Sequence, residues 1–264
     1  MEKVHLDPWL IGLIKEFTAA HPGAELHGMY EQYLETYPGT SWKGFLTHAA
    51  IRAKVKEQVD AVYQLGEGKM SDFEMWAHRI TDVYEETVRR LREAGVDPEI
   101  LRRTLREEMD YVQDHVTEYK DLTVTAVKAV LAYVALTESL YGCEGLEAVE
   151  AWEQRADTFF LAERYADALG HYRTLIAFLE ARPELAPHTL ADSRNTAGAC
   201  LMVLGRNDEA LDLLLKALPF YAQDPVRYRR TLRRLCGTIA EVYYRLGNGD
   251  KMLEYYDLGD RYKD

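Results

Sequence analysis

The chain has 264 residues, of which 47% are hydrophobic and 29% charged. With 18 tyrosines and seven phenylalanines it can bury a sizeable core, which excludes a disordered tail. Its formal net charge of −12 argues against a dedicated nucleic-acid binder, which would carry a basic domain or stripe.

Residues 6–20, 25–37 and 41–62 read as three helices, broken at His21-Pro22-Gly23 and Tyr37-Pro38-Gly39-Thr40. The arrangement has the form of a helix-turn-helix. It would present Lys43, Thr47, His48, Arg52, Lys54 and Lys56 from the recognition position. Residues 1–60 hold eight acidic and six basic side chains, so a cap or interaction subdomain is the expectation rather than a DNA reader. A capping box at Ser71 and Glu74 opens a further helix, with Phe73, Trp76, Ile80, Val83, Tyr84 and Leu91 on one face, and Gly95 stops it. Asp97-Pro98 then starts a helix striped by Leu101, Leu105, Met109, Val112, Val116 and Tyr119. Residues 122–141 are apolar nearly all round and should be deeply buried, ending at Gly142. The expected organisation is an N-terminal helical subdomain at 1–65, a helical segment at 66–145 and repeats at 146–264.

The repeats rest on register. Ala168, Ala210 and Met252 are spaced by 42 and 42 residues, and their neighbours keep step: Arg164-Tyr165-Ala166-Asp167, Asn207-Asp208-Glu209 and Asn248-Gly249-Asp250. Each unit reads as helix, short turn, helix. Trp152, Ala156 and Phe159 mark one stripe, and Ala168, Tyr172 and Leu175 the facing one. Gly205 and Gly247 punctuate the turns, and small residues (Ala156 with Ala168, Gly198 with Ala210) let helix axes approach closely.

These residues resemble the tetratricopeptide repeat (TPR) pattern across roughly residues 147–264. The longer period is similar to the TPRs of kinesin light chains and Gram-positive peptide receptors. The resemblance implies an all-α, TPR-like α-solenoid, a right-handed superhelix of helix pairs whose concave groove holds a protein or peptide ligand. Carried across by position, it places Glu150, Glu153, Asp157 and Phe160 of the first unit in that groove. Asp192, Asn195, Ala199 and Met202 follow from the second unit, and Arg234, Gly237, Glu241 and Tyr244 from the third. In the peptide receptors a groove asparagine bonds the ligand backbone, the role implied for Asn195. Chaperone-tail clamps need basic and amide side chains where this chain has Glu153, Asp157, Thr196, Arg234 and Thr238, so that function is not expected.

Arg227, Arg229, Arg230, Arg233 and Arg234 are five arginines in eight residues. Read as one helix, Arg227, Arg230 and Arg234 share a stripe suited to a partner's carboxylate or phosphate. No catalytic motif is present, and the histidines lack metal-ligand spacing, so neither enzyme activity nor a cofactor or metal is expected. Cys143, Cys200 and Cys236 read as reduced thiols. With no secretion signal at residues 1–20 and no apolar run of 18 residues, a cytoplasmic protein without a membrane partner is expected. A role in signalling and an oligomeric state both fit this reading.

Overall fold

A computed structural model describes residues 7–64, 73–116 and 122–263, among which twelve helices form and no strand. The chain divides into two compact units, Met1–Leu140 and Tyr141–Asp264. The expected boundary near residue 65, Ser71, and the side chains of Phe73, Glu74, Trp76, Val116 and Tyr119 lie outside what is described.

The first unit contains α1 (Pro8–Ala20), α2 (Gly23–Thr36), α3 (Trp42–Gln64), α4 (Phe73–Glu93), α5 (Pro98–Val116) and α6 (Thr123–Tyr141). Two starts follow one rule. Asp7 accepts from the Trp9 N–H at 2.8 Å and Asp97 from the Glu99 N–H at 2.9 Å, each with proline at the first helical position. The long α3 is central and packs on α1, α4 and α5. Its Ile51 and Val55 meet Leu10, Leu91 and Ile100, while Ala50 joins Leu13, Phe17 and Leu26. Each large aliphatic side chain so buried contributes about 1.5–3 kcal/mol of transfer free energy.

One candidate contact set and two expectations about α6 come out differently in this unit. Thr47 and His48 are buried and Arg52 is paired with Glu107 at 2.8 Å, while Lys43 and Lys56 are exposed, so only part of the expected contact set on α3 faces solvent. The cause is packing: α3 is the core helix here, and it turns Thr47 and His48 inward. Helix α6 buries Ala126, Ala129, Val130, Tyr133, Val134 and Thr137 but leaves Val124 63% and Leu131 45% exposed. Its apolar character is therefore only half used. By length and composition α6 also has the apolarity of a membrane span, contrary to the expectation that no such run exists.

The second unit is three helix pairs: α7 (Leu146–Leu161) with α8 (Tyr165–Glu180), α9 (Pro187–Val203) with α10 (Asn207–Ala222), and α11 (Arg229–Arg245) with α12 (Gly249–Asp260). Each pair closes with the same two bonds. The N–H groups of Glu163 and Arg164, Gly205 and Arg206, and Gly247 and Asn248 return to carbonyls of the preceding helix end. The left-handed position is glycine in the second and third turns (φ +75° and +74°) but Glu163 in the first (φ +58°). Ala156, Ala168, Ala210 and Ala240 are fully buried where helices cross. Cys200 and Cys236 are buried free thiols, and Cys143 is an exposed one.

Candidate partner-binding face of the second unit

The first helices of the three pairs form one layer: α9 packs on α8 and α10 and also touches α7 and α11. Residues offset by 42 therefore stand side by side across this layer. At its α7 side Glu150, Glu153 and Asp157 gather, and Asp192 joins them from α9. Burial pushes the Glu153 carboxyl up to about 7, and the charges of Asp157 and Asp192 add to the rise. Asp157 is likewise raised, first by burial and then by Asp192.

Tyrosines from the second helices hold two of these acids in place. The Tyr172 hydroxyl of α8 donates to Asp157, and the Tyr221 hydroxyl of α10 donates to Asp192. Burial and the adjacent carboxylate raise both phenols, so they stay protonated donors. Thr189 donates to Glu153 at 3.4 Å, and His188 Nδ1 lies 3.0 Å from Asp192.

At the α11 side the surface is cationic. Arg230, Arg233 and Arg234 are exposed and make no hydrogen bond or ion pair through their side chains to the described residues. Arg227 does not share their helix. Asp224-Pro225 ends the preceding helix, the Asp224 carboxylate accepts from the Arg227 N–H at 3.0 Å, and α11 begins only at Arg229. The expected three-arginine stripe thus reduces to Arg230 and Arg234 at i, i+4. Arg227 instead lies over the Tyr228 ring at 5.1 Å.

That ring leads to residues the sequence did not single out. Tyr228 stacks on His188 at 5.7 Å, and Phe220 and Tyr221 complete an aromatic cluster between the arginines and Asp192. The aromatic-rich composition was the one available signal, since these residues come from the start of α9, the end of α10 and the connection before α11.

The remaining expected groove residues are scattered in role. Asn195 and Ala199 are half-buried on α9, and the Asn195 side chain makes no hydrogen bond to the described residues. Phe160 is half-buried and packs edge-on to Tyr165 at the α7–α8 turn. The Met202 carbonyl accepts from Arg245, which also holds Glu241 at 2.9 Å. Tyr244 is 65% exposed. Among the described residues no group of acids, histidines and cysteines has metal-binding geometry.

No family model matches the sequence, and no curated protein sequence matches it. Solved structures do. A putative kinesin light chain from Podosopora anserina with nearly identical TPR-like repeats is 13% identical, with a TM-score of 0.57 over 79% of this chain and 94% of that one. Aspartyl phosphate phosphatase F from Bacillus subtilis is 14% identical, with a TM-score of 0.60 over 99% of this chain and 65% of that one. A Rap protein complexed with competence and sporulation factor is 16% identical, with a TM-score of 0.52 over 96% and 74%. With three helix pairs in 42-residue register and no strand among the described residues, the fold of this chain is that of the TPR-like α-solenoids.

Proposed function

We propose that the chain is a binding module without catalytic activity, and that the layer formed by α7, α9 and α11 holds a protein or peptide segment of mixed charge. The observation that carries this reading is the separation of charge across one face. Glu153, Asp157 and Asp192 repel one another at one side, while Arg230 and Arg234 stand unpaired at the other. A partner with a basic group near α7 and an acidic group near α11 relieves both. Its backbone has the Asn195 amide to bond, and its apolar side chains have Met202, Ala199 and the Tyr228 cluster.

The test is a pull-down with the immobilised chain, read by mass spectrometry, followed by affinity measurement on the captured partner. Arg230→Glu with Arg234→Glu should weaken that affinity by at least about 2 kcal/mol, as expected for loss of a desolvated charge pair. An unchanged affinity would remove the arginines from the site.

A second reading is a bacterial signalling or transcriptional regulator, in which the second unit senses a peptide and the N-terminal subdomain acts on DNA or on a partner. Its support is the pair of likenesses that run over 99% and 96% of this chain, one of them to a Rap protein complexed with a factor. Under either reading we place the protein in the cytoplasm.

A further inference from the structure

Along the solvent side of α3 the first unit has a groove of roughly 630 Å³, within the range that holds small molecules. Its walls are mostly apolar, with Phe17 from α1, Met29 from α2, Val59 from α3 and Tyr84 from α4. Two charged residues face each other across it. Nε of Arg52 on α3 forms an ion pair with Oε1 of Glu107 on α5 at 2.8 Å, and the Arg52 side chain is still 56% exposed. Asp110, on the same wall as Glu107, is already held by Arg106 at 2.9 Å.

Behind this pair lies His48, with no exposed surface. Its protonation follows from its neighbours. Arg103 can only donate, and it donates to the Tyr33 hydroxyl. That hydroxyl lies 2.8 Å from His48 Nδ1, and its own proton has that nitrogen to go to, the assignment adopted for this pair. The ring proton therefore sits on Nε2, and Nε2 has no hydrogen-bond partner. The Glu107 Oε1 atom is 3.7 Å from it, too far for a bond and held instead by Arg52. A fully buried N–H aimed at an acceptor that is engaged elsewhere is an unstable arrangement. Whatever takes Arg52 away from Glu107 would free that acceptor.

We propose that this groove binds a small hydrophobic carboxylate, whose anionic end displaces Glu107 from Arg52 and whose apolar body lies along Phe17, Met29, Val59 and Tyr84. Glu107 then turns to accept from His48 Nε2–H. The guanidinium fork suits a planar carboxylate, and Lys56, one turn along the groove and 3.6 Å from Asp60, is a second cation on the same wall. Burial, which already raises the Glu107 carboxyl to about 6, makes a hydrogen-bond donor for it more valuable.

The test uses the whole chain with nitrogen-15-labelled histidine, titrated with 4-phenylbutyrate and separately with the neutral 4-phenylbutyramide, and observed by NMR. The acid should move the His48 Nε2 resonance and slow exchange of its proton, and the amide should not. Arg52→Gln should weaken the acid's binding at least about tenfold, the loss expected for a charge-assisted bond. Glu107→Gln, which frees Arg52, should bind the acid at least as tightly as the parent. No response of His48 to the acid, an equal response to the amide, or full affinity in Arg52→Gln would each overturn the proposal. A groove that answers only to acidic peptides and not to the free acid would overturn it too.

Discussion

A methyl group on Gly198 of α9 would stand 2.6 Å from Cγ of Leu214 on α10, and 3.3 Å from the Ala210 carbonyl oxygen. Neither neighbour is the loose end of a long side chain, so the pair must separate. Gly198→Ala should destabilise the chain by about 1 kcal/mol, because overpacking of ~1–3 kcal/mol outweighs the ~1 kcal/mol gained in helix propensity. Gly170→Ala on α8, where a Cβ meets nothing within 4 Å, should do the opposite and stabilise by ~0.5–1 kcal/mol. Denaturant unfolding of the two variants reads the difference in sign directly.

The first repeat turn holds a strained position that the other two relieve. Glu163 adopts φ +58°, where Gly205 and Gly247 adopt +75° and +74°. Glu163→Gly should raise stability by about 0.5–1 kcal/mol, and Gly205→Glu should lower it by a similar amount. A melting temperature unaltered in Glu163→Gly would mean that its side-chain contacts offset the backbone cost.

Glu153 gives the second unit a pH dependence of defined sign. Its folded pKa of about 7 exceeds the ordinary 4.5, so the folded chain holds this proton more tightly than the unfolded chain. The contribution is complete below the unfolded value and is lost as pH rises through the folded one. Glu153→Gln should therefore be stabilising relative to the parent at about pH 8 and much less so at about pH 5. Glu107 and Glu108 of the first unit, pushed to about 6 and about 7 by burial, titrate in both proteins and cancel in the comparison. Thermal melts across that range test it, and a constant difference would argue that folding does not raise the Glu153 carboxyl, through burial or through its acidic neighbours.

Scaffold and contact residues should separate cleanly on α9 and α10. Ala210 has no exposed surface at the crossing with Gly198, so Ala210→Leu should cost ~1–3 kcal/mol and weaken partner capture through the displaced helices. Asn195 is half-buried and its amide is unbonded, so Asn195→Ala should leave melting nearly unchanged while lowering affinity. The reverse pattern would mean that α9 presents a different face.

The sequence by itself determined the elements and their register. Helix periodicity, proline and glycine breaks and capping are local, and a period of 42 repeated at Ala168, Ala210 and Met252 suffices to pair the helices of the second unit. It likewise determined that Glu153 and Asp157 share one face of α7. What those residues meet was not legible, because Asp192 and His188 arrive from α9, and Phe220, Tyr221 and Tyr228 from the end of α10 and the connection after it. Arg227 left the arginine stripe because an Asp224 side-chain bond competes with the helix start, a balance too fine for spacing to settle. In the first unit, composition could not say that α3 would be the core helix and turn Thr47 and His48 inward, nor that α6 would bury one face and leave Val124 and Leu131 in solvent. Those outcomes depend on which helices pack against which, and only tertiary contacts between residues distant in sequence decide that.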